Sequence, residues 1–304
     1  MELPSPPACH TMGVCRYQSR LDGLAPPLAG YPAYNDTILL MPTKLMIAAV
    51  KKHPLFVFFA LAFLIATPAF ITTSLAADVA VQLPLLILGS YAPTIATLVV
   101  LALLREPVES QAWRQRLRIW RVSAIWYLVA GLVPTGTWIS AVAVMTLLGK
   151  EVPIQLASLL VFPVILITNL GEEFGWRGFA LPRLMTAFRP LPAGLVLGLI
   201  WGLFHIPLYW DRPLFALVFI VLALALSVFL AWLFVHTGGS VLLCTLFHAV
   251  YNTWSQAFLT AQGSEGILAM TAVVLWVVVG FLVVRYGVDL SRTSAAPTSA
   301  AGTG

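Results

Sequence analysis

Long runs of apolar residues, separated by short polar stretches, make up most of the chain. A helix needs about 20 such residues to cross the hydrocarbon core of a bilayer, and these runs reach that length. We predict spans near residues 55–77, 80–104, 124–148, 153–173, 192–210, 214–235, 240–260 and 266–286. None of the runs alternates apolar and polar residues at period two, which argues against a β-barrel. The pattern therefore predicts an all-α protein, a polytopic transmembrane helical bundle of about eight spans.

The two ends of the chain lack this pattern. Residues 1–45 are rich in Pro and Gly, and residues 291–304 are mostly small or polar, so both are predicted to be disordered tails. The first tail has no continuous apolar stretch of the kind that a cleavable signal peptide requires. The bundle is accordingly predicted to occupy residues 46–290.

Charged residues are few, and their positions indicate how the bundle is oriented. The chain has 17 Lys and Arg against 12 Asp and Glu, a formal net charge of +5. With eight spans, most of the bases fall on the side of the termini, and the other side has little beyond Lys150 and Arg212. Such an excess is typical of the cytoplasmic side, so both termini are predicted to be cytoplasmic, at the plasma membrane if the protein is prokaryotic. The excess of base thus reflects membrane topology and not a nucleic-acid site.

Several of these bases form one cluster between the second and third predicted spans. Residues 105–121 contain five arginines, with Trp113, Ile119 and Trp120 between them. This composition predicts an amphipathic segment that lies on anionic lipid. We assign no chemistry to it.

The stretch "GEEFGWRG", residues 171–178, places two adjacent acids and a base in this apolar chain. Residues four apart share a helix face, so Arg177 can pair with Glu173. Glu172 is rotated by about 100° and points elsewhere, which leaves it available. An ionised side chain inside a membrane costs roughly 2.5–3.5 kcal/mol, and such residues tend to mark function. The alternative is a solvated helix end just beyond a span.

Two further polar pairs lie inside apolar runs, each at the spacing i, i+4. Trp201 and His205 share a face in "WGLFHIPLYW", where Pro207 is expected to bend or loosen the helix. His248 and Asn252 share a face in "FHAVYN" and can project into one cavity. Either histidine alone would more simply form a helix–helix hydrogen bond. Together they favour a functional site.

Sequence distances connect the first two clusters. The predicted turn between their helices is "FRPLP", residues 188–192, and Glu172 lies 17 residues before Arg189 while His205 lies 16 after it. In an antiparallel helix pair, residues equally far from the turn lie at equal depth. The carboxylate and the imidazole are therefore predicted to face each other.

These three clusters resemble the motifs of a known family. "EEFGWR" matches E-E-x-x-x-R, "HAVYN" matches H-x-x-x-N, and "WGLFH" stands where F-x-x-x-H is usual, with Trp201 in place of phenylalanine. The chain is therefore similar to the CAAX prenyl protease 2 (Rce1-like) and bacteriocin-processing family of intramembrane proteases, also called CPBP or ABI. The resemblance covers residues from about 124 to 256, the predicted protease core. The indole at position 201 is expected either to narrow the substrate path or to fill space.

The resemblance implies an intramembrane endopeptidase that hydrolyses a peptide bond in a membrane-associated peptide or lipidated protein, with a CAAX-type prenylated substrate in some members. Glu172 would be the general base that activates a water, and His205 would share that water. His248 and Asn252 would stabilise the oxyanion, and Glu173 and Arg177 would support Glu172. A buried carboxylate and neutral amide donors suit these roles.

Two alternatives remain open. Glu172, His205 and His248 are also a plausible three-ligand set for a catalytic zinc, with a fourth position for water. The same fold can also serve a non-proteolytic membrane scaffold or bacteriocin-immunity protein. A transporter with a proton-carrying acid would need paired broken helices, and the chain has no such repeat.

Overall fold

The computed structural model describes residues 47–258, except 49, and residues 264–291. The predicted tails, 1–45 and 291–304, lie outside the described residues apart from Ser291. Throughout the described part of the chain the secondary structure is helical and contains no strand, which confirms the all-α prediction.

The α-helices are numbered here in chain order. They are α1 (Pro54–Leu75), α2 (Val79–Leu104), α3 (Pro107–Leu117), α4 (Ala124–Leu147), α5 (Phe162–Gly175), α6 (Leu181–Leu184), α7 (Pro190–Phe204), α8 (Pro213–His236), α9 (Val241–Phe258) and α10 (Glu265–Tyr286). Short 3-10 segments precede α5 (Leu156–Val161), follow α7 (Ile206–Leu208) and end the described chain (Gly287–Asp289), and a π-helical segment, Trp176–Ala180, joins α5 to α6. Several of the α-helices begin with a proline in the first turn, where the missing N–H has no intrahelical partner to lose.

Seven helices in the described residues are long and apolar enough to cross a membrane, one fewer than predicted. Each predicted span forms a helix, and the difference is α9, predicted as the span 240–260. This helix has 18 residues and carries the polar side chains of His248, Asn252 and Gln256. The prediction of eight spans included α9 because the helix is long enough to cross a membrane. The polar face of α9, however, lowers its mean hydropathy below that of the other seven helices.

Close helix packing at glycines fixes the neighbours of the polar residues. Gly194, Gly198 and Gly202 recur every four residues on the face of α7 that meets α8. A Cβ atom built at Gly198 would lie 2.8 Å from the Cα of Leu224, and one at Gly202 would lie 3.0 Å from the Cα of Ile220. Small residues at this spacing let two membrane helices approach at backbone distance.

The helix that carries Glu172 is held in the same way against α2. Cβ atoms at Gly171 and Gly175 would overlap Tyr91 and Pro93 of α2, so both positions require glycine at this distance. Thr94 of α2 donates a hydrogen bond to the carbonyl of Gly171 at 2.6 Å. The residues on both sides of the two glutamates are therefore fixed to a neighbouring helix.

Side chains of α3 donate hydrogen bonds to backbone carbonyl groups in and just before the π segment that follows α5. In a π turn the hydrogen-bond ladder is interrupted, which leaves carbonyl groups to be satisfied by other residues. The Trp113 indole donates to the carbonyl of Phe174 at 3.0 Å, and Arg116 donates to the carbonyl of Gly178 at 3.2 Å. Trp113 is buried, so the prediction that this segment lies on lipid is wrong for that side chain.

Candidate active site

Glu172 and His205 face each other, as their distances from the turn predicted. The Nε2 atom of His205 lies 3.9 Å from Oε2 of Glu172, and the two residues are only 8% and 4% exposed. This separation exceeds a direct hydrogen bond but can be bridged by a water molecule. The turn itself occupies residues 185–189, slightly before the predicted position.

The end of α7 sets the orientation of the His205 ring. The α-helix ends at Phe204, and Pro207 lies in the following 3-10 turn, in agreement with the predicted disruption. His205 donates from Nδ1 to the backbone carbonyl of Trp201 at 2.9 Å. In the neutral ring, Nε2 is then the unprotonated nitrogen, and it is the atom closest to Glu172.

Trp201 contacts the carboxylate directly. Its indole Nε1–H donates a hydrogen bond to Oε2 of Glu172 at 2.7 Å, and the side chain is 1% exposed. The indole therefore does more than narrow the substrate path or fill space, the two roles expected from the sequence. The other oxygen of Glu172, Oε1, accepts no hydrogen bond from the described residues.

The carboxylate of Glu173 contacts two side chains on neighbouring elements, those of Arg177 and His248. Arg177 donates to its Oε1 at 2.9 Å, which confirms the predicted i, i+4 pair. The same oxygen lies 2.9 Å from Nδ1 of His248 on α9. No local pattern could predict this second contact, because it joins residues 75 positions apart.

His248 and Asn252 lie next to each other, as their spacing predicted. The amide nitrogen of Asn252 is 3.0 Å from Nε2 of His248 and 3.4 Å from Oδ1 of Asn169 on α5. Asn169 is buried beside the site and was missed from the sequence. Its signal was its spacing, because it lies three residues before Glu172 and shares that helix face.

These side chains surround a single cavity of about 170 Å³. Glu172, His205, Asn252, Asn169 and Tyr209 all contribute to its wall, together with apolar side chains of α8. Desolvation raises the pKa of Tyr209 to about 12, and the negative charge of Glu172 adds to the shift. Its phenol therefore remains a hydrogen-bond donor at neutral pH. The cavity thus combines one acid, one imidazole and several neutral donors within largely apolar walls.

The predicted zinc ligands do not converge. A three-ligand site would need free donor atoms on Glu172, His205 and His248 directed at one point. His248 instead directs Nδ1 at Glu173 and Nε2 at Asn252. Among the described residues, no group of three or more His, Cys, Asp or Glu side chains is arranged to hold a metal ion. The arrangement does not fit the zinc set, and the chemistry proposed below uses only the acid, imidazole and amide groups.

Comparison with known proteins identifies the region that contains these residues. Residues 154–254 match the family described as type II CAAX prenyl endopeptidase Rce1-like. The chain is also similar to CAAX prenyl protease 2 of Methanococcus maripaludis, with 23% identity over 124 residues. That similarity covers 36% of this chain and 46% of the relative, less than half of either protein. Both findings confirm the family resemblance that the three motifs predicted, and all six motif residues lie within the matched region.

Proposed function

We propose that this protein, which matches the Rce1-like endopeptidases over residues 154–254, is an intramembrane peptidase whose reaction centre is the cavity between α5, α7 and α9. The observation that carries the proposal is the facing pair of Glu172 and His205, 3.9 Å apart in the wall of that cavity. An acid and an imidazole at this separation can hold one water molecule between them.

In the proposed reaction, Glu172 is the general base. The water donates one hydrogen bond to the carboxylate and the other to the unprotonated Nε2 of His205. Its oxygen attacks the scissile carbonyl carbon as Glu172 takes the first proton, which forms a tetrahedral intermediate. Glu172 then gives this proton to the leaving nitrogen, and the C–N bond breaks to release an amine and a carboxylic acid. The second proton of the water, which remains on the acid, passes to Nε2 of His205 and from there to solvent, which leaves the product carboxylate.

Asn252 supplies the donor for the oxyanion in this mechanism. Its amide nitrogen lies beside the cavity, 3.0 Å from Nε2 of His248 and 3.4 Å from Oδ1 of Asn169. These contacts use both N–H groups, so in the proposed reaction the longer contact to Asn169 breaks and that N–H turns to the oxyanion. His248 is in turn held at Nδ1 by Glu173. A neutral donor that is already held beside the reacting carbonyl stabilises developing negative charge with little reorganisation. His248 and Glu173 therefore act through the position of Asn252.

The comparison and the apolar walls of the cavity support a proposal for the substrate class. The relative's name, CAAX prenyl protease 2, describes a protease for prenylated CAAX substrates. We propose a membrane-associated peptide of this type for the present chain. A bacteriocin-immunity protein or scaffold of the same fold would bind such a peptide without cleaving it.

Cleavage assays test the proposal. Purified wild type would be incubated in detergent with farnesylated and unmodified CAAX peptides, beside Glu172→Gln and the control Glu151→Gln, whose acid is exposed outside the site. We expect wild type and Glu151→Gln to release the same peptide, detected by mass spectrometry, and Glu172→Gln to release none. Full activity of Glu172→Gln would reject the general base. Absence of cleavage by the wild type across the panel would favour the scaffold.

Metal dependence is tested in the same assay. Because the zinc set does not converge in the described residues, we expect incubation with a chelator, followed by its removal, to leave the cleavage rate unchanged. Loss of activity that is restored by Zn²⁺ and not by Mg²⁺ would contradict the mechanism in which Glu172 activates the water without a metal. It would instead support Glu172, His205 and His248 as ligands.

A further inference from the structure

The side chain of Trp201 contacts three polar residues of the site: Glu172, Arg177 and His248. Its Nε1–H donates to Glu172 at 2.7 Å, and the guanidinium of Arg177 lies 4.7 Å from the centre of its ring. The ring of His248 meets the indole edge to face, with centroids 5.0 Å apart. Trp201 therefore packs between the acid that faces the cavity and the ion pair behind it.

The backbone of the same residue orients the other half of the site. The carbonyl of Trp201 accepts the Nδ1–H of His205 at 2.9 Å. This contact does not depend on the side chain, so it survives substitution at position 201. The indole N–H contact with Glu172 does depend on the side chain, and the two can be separated by mutation.

We propose that Trp201 is a positioning residue, which fixes the Glu172 carboxylate through its indole N–H so that the carboxylate keeps its orientation toward Nε2 of His205 and toward the reacting water held between them. The inference rests on the proposed function of Glu172 as general base. A carboxylate can rotate about its last side-chain bond, and a hydrogen bond to one oxygen stops this rotation. With Oε2 held by the indole, Oε1 is the oxygen without a hydrogen bond in the described part of the chain, and Glu172 is only 4% exposed.

We expect removal of the Trp201 indole N–H to slow the chemical step rather than to weaken substrate binding. The N–H is already bonded to Glu172, so it has no remaining proton with which to bind the substrate. Its removal should therefore lower kcat and leave KM nearly unchanged. A hydrogen bond to a charged group has a strength that corresponds to about a ten- to hundredfold change in rate.

Two substitutions remove the N–H with different effects on packing. Trp201→Phe leaves an aromatic ring but a smaller volume, whereas 3-benzothienylalanine at position 201 keeps the shape of tryptophan and replaces the N–H by sulfur. Trp138→Phe is the matched control, because Trp138 is fully buried and its Nε1 has no hydrogen-bond partner among the described residues.

The first measurement detects the bond without using activity. In full-length protein with ¹⁵N-labelled tryptophan, the Trp201 indole resonance is assigned by its loss in Trp201→Phe. We expect Glu172→Ala to shift this resonance and to leave that of Trp138 in place. An unshifted Trp201 resonance would overturn the inference, whether or not the wild type cleaves peptides.

The second measurement is steady-state cleavage of the farnesylated CAAX peptide. Wild-type cleavage tests the proposed function, and the ratio of each variant to wild type tests the role of Trp201. We expect kcat to fall about ten- to hundredfold in both position-201 variants with KM within about twofold, and Trp138→Phe to match the wild type. Unchanged kcat in the benzothienylalanine protein would overturn the positioning role, as would a rise in KM without a fall in kcat.

Discussion

Glu173 and Arg177 form a fully buried ion pair whose two members depend on each other. Both side chains are 0% exposed, and Oε2 of Glu173 and Nε and the second terminal nitrogen of Arg177 have no hydrogen-bond partner among the described residues. Removal of Arg177 leaves the buried Glu173 carboxylate with His248 as its one remaining partner among the described residues, and breaking a buried ion pair costs about 3–5 kcal/mol. We therefore expect Arg177→Met to lower the thermal stability of the detergent-solubilised protein strongly.

A double variant that removes both charges provides the control for this prediction. A double variant, Glu173→Gln with Arg177→Met, removes both charges and should recover most of the lost stability. Thermal unfolding of the single and double variants is compared in the same detergent. Equal destabilisation in both would mean that packing of the Arg177 side chain, and not its charge, supports the site.

Asn252 and Asn169 should differ in their effect on cleavage. Asn252 is the proposed oxyanion donor, and removal of such a donor lowers kcat by about 10²- to 10³-fold. Among the described residues, the side chain of Asn169 has one hydrogen bond, to the Asn252 amide at 3.4 Å, so its removal should have a smaller effect in the same direction. Measurement of kcat and KM for Asn252→Ala and Asn169→Ala tests this order. A larger loss in Asn169→Ala would assign the oxyanion to Asn169.

The residues of the site could be predicted in part from their spacing. The Glu173–Arg177 and His248–Asn252 pairs follow from helix geometry, and the facing of Glu172 and His205 follows from their distances to the turn. The contacts of Trp201 with Glu172 and of Glu173 with His248 could not be predicted in this way. They join different helices, and the rotation of one helix relative to another is set by packing that no local pattern records.

At the level of the helices, the glycine row of α7 determines how closely α7 and α8 approach. A methyl group at Gly198 would lie 2.8 Å from the Cα of Leu224, so the backbones must separate to admit it. Overpacking of this kind costs about 1–3 kcal/mol. We expect Gly198→Ala to lower thermal stability, and to lower cleavage as well because α7 carries Trp201 and leads into His205.

Gly131 is a matched control on α4. A Cβ atom there would have no neighbour within 4 Å, so Gly131→Ala should be neutral or stabilising by up to about 1 kcal/mol. Both variants are compared by thermal unfolding and cleavage rate. Similar losses in both would show that helix flexibility, and not close approach, is the role of these glycines.

The helices themselves were predictable because their apolar runs are long, but two local features were not. The π segment at Trp176–Ala180 continues the helix beyond the predicted end at 173, and it depends on hydrogen bonds from Trp113 and Arg116, which are more than 60 residues away in sequence. The glycine row was visible in the sequence. The helix that packs against this row, α8, could not be identified from the sequence, because small residues indicate a close approach between helices but do not indicate which helix approaches.

For the whole molecule, the number of membrane crossings decides the orientation of the termini. If α9 crosses together with the seven apolar helices, the count is eight and both termini lie on the same side. From the distribution of Lys and Arg we then predict that both termini lie in the cytoplasm. We expect a fluorescent protein fused after residue 304 to fluoresce in a bacterial host, and alkaline phosphatase inserted at residues 149–153 to be active. Phosphatase activity at the C-terminus would show an odd number of crossings.

The polar face of α9 also constrains the order in which the protein is made. An isolated helix with these side chains partitions into lipid less favourably than the seven apolar helices, and its polar groups find partners on α5, which contains Asn169 and Glu173. The ribosome delivers α5 about 75 residues before His248, so the partners are already present when α9 emerges. A gene rearranged to place α9 first would present the translocon with a helix that has nothing to bind. Among the helices of the proposed reaction centre, α9 is thus the last to be synthesised, and we expect its insertion to depend on the helices made before it.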